Sequence, residues 1–224
     1  MIQVDVWSDI VCPWCYIGKR RMETALAEFD GAVSVTWRSF QLDPTTPTGD
    51  SRPVGESLAA KLGLSKDRVQ GMFAHVTSLA AAEGLAYDFD RARTANTLDA
   101  HRLLHFAKAH DLQGALKERL MQAYFTEGAD VGDRAVLAGL AASVGLDEVA
   151  AKSALADGSY EADVRADIAT ARAYGISGVP FFVFNEQVGV SGAQPAEVFA
   201  QALRQSQPEV SDSAEACADD SCAI

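Results

Sequence analysis

Cysteine is scarce in this chain, 4 in 224 residues, yet Cys12 and Cys15 stand together in SDIVCPWCYIG with only Pro13 and Trp14 between them. A CxxC pair can share a metal ion, close a small disulfide, or trade electrons with other thiols. Zinc normally takes four ligands, often from a second CxxC or from paired histidines. The histidines His75, His101, His105 and His110 have no such company. His101 and His105 stand one helical turn apart, but no carboxylate motif of the HExxH kind accompanies them. No metal is expected there; an ordinary helix surface or a satisfied, partly buried pair is. The other cysteines, Cys217 and Cys222, lie in CADDSC near the C-terminus. They offer a four-thiolate site with Cys12 and Cys15 as one reading, and a second dithiol as another.

The elements around the first pair favour exchange chemistry. IQVDVW (2–7) is rich in β-branched and aromatic residues and reads as a strand. A helical pattern starts near Cys15 and runs to about Phe29, with Ile17, Met22, Ala25, Leu26 and Phe29 at spacings near 3.6. VSVTWRSFQL (33–42) alternates as a second strand, so a parallel βαβ unit carries the cysteines at its first strand–helix junction. A helix N-terminus has free N–H groups and about half a positive charge, which favour a thiolate at Cys12. Pro13 suits a first-turn position where no N–H is needed. Cys15, one turn in, is placed to close a short disulfide. One exposed, activated thiol and one shielded partner are what thiol–disulfide exchange needs. Lys19, Arg20 and Arg21 read as the solvated face of that helix.

The middle of the chain differs. DPTTPTGDSRP (43–53) is a connector, and from Val54 to Tyr174 the pattern is helical, punctuated by Gly63, Gly84, Gly114, Gly128, Gly145 and Gly158 into five or six helices. Strand character returns in FFVF (181–184) and QVGV (187–190), a hairpin across Asn185–Glu186, and Pro195 opens a last helix. The expected domains are 1–42 with 175–205, a helical insertion at 53–174, and a flexible acidic tail at 206–224. The net charge of −12 argues against nucleic acid and anionic membranes as partners. No apolar run approaches the roughly 18 residues of a membrane span. MIQVDVWSD lacks the features of a secretory signal, so the expected location is the cytoplasm.

WSDIVCPWCYIG, followed at long distance by SGVPFFVFN, resembles the DsbA-like branch of the thioredoxin superfamily. Its cytoplasmic FrnE-type subgroup is similar in CPWC and in a cysteine pair near the C-terminus. The resemblance implies an α/β thioredoxin fold interrupted by an all-helical domain. It implies Cys12 as nucleophile, Cys15 as resolver, and a Val179–Pro180 cis-proline loop beside them that pairs with a substrate strand. The implied activity is thiol–disulfide exchange on protein disulfides, with no required cofactor and a low-molecular-weight thiol as a candidate redox partner. Strongly oxidising relatives carry His between the cysteines. Pro13–Trp14 brings no charge, which implies a potential between thioredoxin and the strong oxidants without fixing a direction, and the expected cytoplasmic setting makes reductase or isomerase work the expectation.

Two further readings stay open. Residues 206–224 hold five acidic and no basic residues, the composition of a flexible tail. About ten such residues reach roughly 17–19 Å, so Cys217 or Cys222 could relay disulfides to Cys12 and Cys15; otherwise the tail pair closes its own loop. TANTLDAHRL (94–103) resembles a segment of 2-hydroxychromene-2-carboxylate isomerases and kappa-class glutathione transferases. That makes Asn96 and Thr97 candidates for a thiol-cofactor pocket, against the ordinary reading of a helix N-cap. Those enzymes need one Ser or Cys rather than CxxC, which favours dithiol redox. A chaperone-like binder of unfolded clients is the remaining alternative.

Overall fold

The computed structural model describes residues 1–207. Strand β1 (Ile2–Ser8) is followed by helix α1 (Pro13–Ala27) and strand β2 (Val33–Ser39), which lies parallel to β1 with Val4 opposite Val35 and Val6 opposite Trp37. The remaining strands come after the helical segment. β3 (Phe181–Phe184) pairs antiparallel with β1, and β4 (Val188–Ser191) antiparallel with β3, giving the order β2-β1-β3-β4. Asn185 and Glu186 both take positive φ, 46° and 58°, as a two-residue hairpin turn of the primed kind requires. The two halves of the sheet are thus far apart in sequence and hydrogen-bonded in space.

Strand alternation sorts the side chains onto two faces. Val4, Val6, Phe182 and Phe184 pack with Met22 and Ala25 of α1 and with Phe199, Ala202 and Leu203 of the last helix, α9 (Ala196–Gln205). Trp7 and Val183 face the opposite way. Burying one such large apolar side chain contributes about 1.5–3 kcal/mol.

Between β2 and β3 lie seven helices rather than five or six: α2 (Val54–Leu62), α3 (Lys66–Ala82), α4 (Leu98–Lys108), α5 (Gln113–Gln122), α6 (Arg134–Ser143), α7 (Glu148–Ala156) and α8 (Glu161–Ala173). A one-turn π-helix, Ala123–Glu127, extends α5. Six breaks bound seven segments, one more than expected; five of them fall at or beside the expected glycines, while the sixth falls at Asp111, a non-glycine residue with φ 58°, and Gly114 lies inside α5. β2 also ends at Ser39, short of the expected 42. α8 covers the Trp7 face, where Trp7 Nε1 donates to the Asp167 carbonyl at 2.9 Å and Ser39 N–H to the Asp167 carboxylate at 2.8 Å.

The largest core crosses the expected domain boundary. Ile10, Cys12, Cys15, Tyr16 and Ile17 share one contiguous cluster with Leu103, Leu116, Leu120, Phe125 and Leu137. Ser206, assigned to the tail from sequence, is buried at the end of α9, its N–H donating to the Ala202 carbonyl and its carbonyl accepting from Asn185 Nδ2. Among the described residues no helix is long and apolar enough to cross a membrane.

Candidate active site

The CPWC stretch is shaped by the end of β1. Cys12 is the N-cap residue of α1, with φ −89° and ψ 113°, and Pro13 occupies the first turn. The Cys12 N–H donates to the Asp9 carbonyl at 3.4 Å, and the Cys15 N–H to the Cys12 carbonyl at 3.1 Å. Among the described residues no side chain caps the helix, so its first N–H groups remain directed at the cysteine end. Cys12 and Cys15 are both free thiols.

Cys12 is less open than expected, 3% exposed, against 1% for Cys15. The reason is the loop before β3. The Val179–Pro180 peptide bond is cis, and the Cys12 thiol donates to the Val179 carbonyl across 3.6 Å. The Pro180 carbonyl is tied to the β4 end by the Gly192 N–H at 2.8 Å. α1 approaches this loop through Gly18, where an added Cβ would meet Pro180 Cγ at 3.1 Å and Phe182 Cζ at 3.3 Å. Trp14 is the exposed member of the motif, at 38%.

The helical segment supports the motif from beneath. Tyr87 donates its hydroxyl to the Pro13 carbonyl at 2.7 Å and stacks on Phe125 with centroids 4.5 Å apart. The three basic residues of α1 are drawn into ion pairs rather than left on a solvated face. Lys19 is buried and meets Glu118 and Glu23, Arg20 meets the same two carboxylates, and Arg21 meets Glu83 and the Ala193 carbonyl. Their charge is neutralised there.

A second layer of ionisable groups was not singled out from sequence. Asp9 is buried, accepting from the Ile10 N–H at 2.8 Å, the Leu42 N–H at 2.8 Å and, from α4, His101 Nε2 at 3.3 Å. Burial pushes its carboxyl up, but the His101 contact and the Leu42 N–H outweigh it and hold it below the usual range. His101 Nε2 also faces the Phe40 carbonyl at 3.0 Å, so that nitrogen carries the proton, and Nδ1 is left buried without a partner among the described residues. Burial lowers the His101 pKa despite the carboxylate beside it. His105 turns elsewhere, to Ser39 Oγ and Asp167, each at 3.1 Å. The pair therefore does not converge on one point.

Burial pushes the Cys15 thiol well up, the neighbouring Cys12 adds to this, and Lys117 of α5 opposes it. The Lys117 ammonium is itself lowered to about 8 by burial. Asp9 had a visible signal, standing three residues before Cys12. Lys117 had none, because nothing in LKERL marks a lysine that points inward.

Asn96 accepts the Leu98 N–H at 3.0 Å and donates to the Thr46 carbonyl at 2.7 Å, which is capping work at the start of α4. Thr97 is buried and lines a cleft of about 160 Å³ with Asp9, Val11, Leu42 and Tyr124. Cys217 and Cys222 lie outside the described residues.

Similarity to known proteins agrees with this geometry. Residues 3–204 match the DSBA-like thioredoxin domain. Uncharacterized protein YwbO of Bacillus subtilis (strain 168) is 32% identical over 210 residues, which are 92% of this chain and 98% of that protein. The crystal structure of the probable DsbA oxidoreductase SCO1869 from Streptomyces coelicolor has a TM-score of 0.88 and 44% identity, covering 100% of this chain and 99% of its own. Cytosolic disulfide reductase DsbM from Pseudomonas aeruginosa with GSH is similar at a TM-score of 0.64 and 22% identity, over 91% of this chain and 98% of that one, which is a likeness of fold.

Proposed function

Because this chain belongs to the DSBA-like thioredoxin domain family, we propose that it is a thiol–disulfide oxidoreductase acting on protein disulfides through Cys12 and Cys15. The observation that carries this reading is the placement of the Cys12 thiol at the N-terminus of α1 and against the Val179 carbonyl, with Cys15 one turn deeper. In the reducing direction the Cys12 thiolate attacks one sulfur of a substrate disulfide. A Cys12–substrate bond forms and the first substrate sulfur leaves with the electron pair. Cys15 then attacks Cys12, the substrate's second sulfur leaves, and the pair ends oxidised. Pro13 sets the turn, Trp14 forms the exposed rim, and the backbone at Val179 and Pro180 lies along an extended substrate segment.

The reading extends to reductase or isomerase work in the cytoplasm, since Pro13–Trp14 adds no positive charge and Lys19, Arg20 and Arg21 are already paired. A low-molecular-weight thiol would restore the dithiol without any bound cofactor. The cleft beside Asp9, Val11 and Thr97 is the candidate place for that thiol, with Asn96 outside its lining but bonded to Thr46, which is part of it, and a relative in fold, DsbM, has a structure with GSH. Cys217 and Cys222 would relay disulfides from the tail.

Insulin reduction by dithiothreitol tests the proposal, comparing wild type, Cys12→Ser and the double variant Cys217→Ser/Cys222→Ser. Activity lost in Cys12→Ser supports dithiol chemistry, and a changed rate in the double variant supports the relay. An inactive wild type overturns the reading, and aggregation suppressed without Cys12 and Cys15 would point to client binding instead.

A further inference from the structure

Lys117 is fully buried, 0% exposed, and its Nζ donates no hydrogen bond among the described residues. An ammonium left without a partner in a protein interior is heavily penalised by desolvation. The contacts around it explain where it points. Gln113, one turn earlier on α5, bonds both the N–H and the carbonyl of Trp37 on β2, each at 3.0 Å, and Lys117 Nζ lies 5.7 Å from the Trp37 ring centroid. Glu118, the next residue, binds Lys19 and Tyr16 of α1, each at 2.5 Å. Cys15 and Lys19 are four apart on α1 and share the face turned to α5. Lys117 thus projects between β2 and the base of α1, beneath the dithiol.

The charges acting on it come from every side of that space. Cys15 acts most strongly, then Asp9 from the turn after β1, Cys12, and Lys19 of α1 as the repelling group. His101 of α4 is lowered in turn by the Lys117 charge. Cys15 is the group with most to gain, since its burial favours the thiol over the attacking thiolate.

We propose that Lys117 is a positioning residue for the resolving step, supplying from the inserted helices the positive charge that offsets the thiolate at Cys15. This rests on the dithiol reading above. In that step Cys15 Sγ bonds to Cys12 Sγ, the Cys12–substrate S–S bond breaks, its electron pair leaves on the substrate sulfur, and the Cys15 proton ends there. Negative charge passes through Cys15 inside the protein, and Lys117 is a buried cation that acts on it without a carboxylate partner among the described residues, whereas the buried Lys19 is already paired with Glu23 and Glu118.

In a Cys217→Ser/Cys222→Ser background, which serves as the wild-type reference for these comparisons, the reduced protein treated with excess 5,5′-dithiobis(2-nitrobenzoate) releases one coloured thiolate when Cys12 attacks and a second when Cys15 resolves. In Lys117→Met the first phase stays within about twofold while the second slows by about tenfold at neutral pH. The gap narrows above about pH 8, where the wild-type lysine loses its own charge. Lys117→Arg, which keeps the charge, recovers most of the second phase. A second phase in Lys117→Met within about twofold of wild type from pH 6 to 9 overturns the proposal. A wild type with no second phase overturns the dithiol reading instead. Should Lys117→Met fail to fold, the neutral Lys117→Gln takes its place in the same two-phase assay, and an unslowed second phase there refutes the proposal.

Discussion

The Cys12 thiol sits 3.6 Å from the carbonyl oxygen of Val179, a residue 167 positions further along the chain. One belongs to the first strand–helix junction and the other to the loop before β3. Their meeting follows from the antiparallel pairing of β1 with β3, in which Trp7 stands opposite Phe181. The seven intervening helices are held to the same site through Tyr87, Glu118 and Lys117, so nucleophile, facing loop and supporting helices form one packed unit.

The division of labour between the cysteines predicts different variants. Cys12→Ser abolishes exchange. Cys15→Ser, in a chain whose Cys217 and Cys222 are also replaced by serine, keeps the first attack, but its mixed disulfide accumulates because no second thiol remains to release it. Mass spectrometry after acid quenching reads this directly: one stable adduct on Cys12 in Cys15→Ser and none in Cys12→Ser.

Gly18 is where α1 touches the proline loop. Gly18→Ala places a methyl group 3.1 Å from Pro180 Cγ and 3.3 Å from Phe182 Cζ, which forces the loop or the helix to move. Overpacking of this kind costs about 1–3 kcal/mol, partly offset by the roughly 1 kcal/mol that alanine gains over glycine in a helix. Urea unfolding at neutral pH is expected to show a net loss, together with slower exchange because the Val179 carbonyl shifts. A fully stable and fully active variant would mean that the loop has slack.

The buried Asp9–His101 contact predicts sensitivity to acid. His101 has its pKa lowered by burial, so between its ordinary value and its folded one the unfolded chain takes up a proton that the native state does not. Stability from this group is complete above about pH 6.5 and declines as pH falls below it. The Asp9 carboxyl is held low in the fold, so its contribution is present above about pH 3.9 and is lost only as pH falls through the folded value. The urea midpoint of the wild type is expected to be lower at pH 5.5 than at pH 7.5, and the difference to be smaller in His101→Asn.

Lys117 predicts a gain in stability when it is removed. Its pKa falls from 10.5 to about 8 in the fold, so at neutral pH the buried charge costs on the order of 3 kcal/mol. Unfolded chains bind the extra proton between those values, so this penalty fades as pH rises from about 8 to 10.5. Lys117→Met should therefore unfold at higher urea than wild type at pH 7, with the difference shrinking toward pH 10. Cys15, kept protonated by burial, pulls the other way in alkali in both proteins, so the difference between them isolates the lysine.

The sequence by itself determined what depends on neighbours along the chain. The strand–turn–helix that carries Cys12 and Cys15 was legible from β-branched residues, 3.6-residue spacing and Pro13, and the β3–β4 hairpin from two short β runs around Asn185–Glu186. Val179–Pro180 was legible only through resemblance. Tertiary structure alone decided which helical faces turn inward. Lys19 read as a surface residue and nothing marked Lys117 as inward, because charge and spacing are the same whether a lysine meets water or Glu118 and Trp37. The break at Asp111 escaped because a non-glycine residue took the left-handed conformation there. Cys12 read as exposed because the chain that covers it arrives 167 residues later. Local rules set secondary structure through short-range sterics and hydrogen bonding. Burial and the pairing of charges depend on distances that exist only once the sheet has closed.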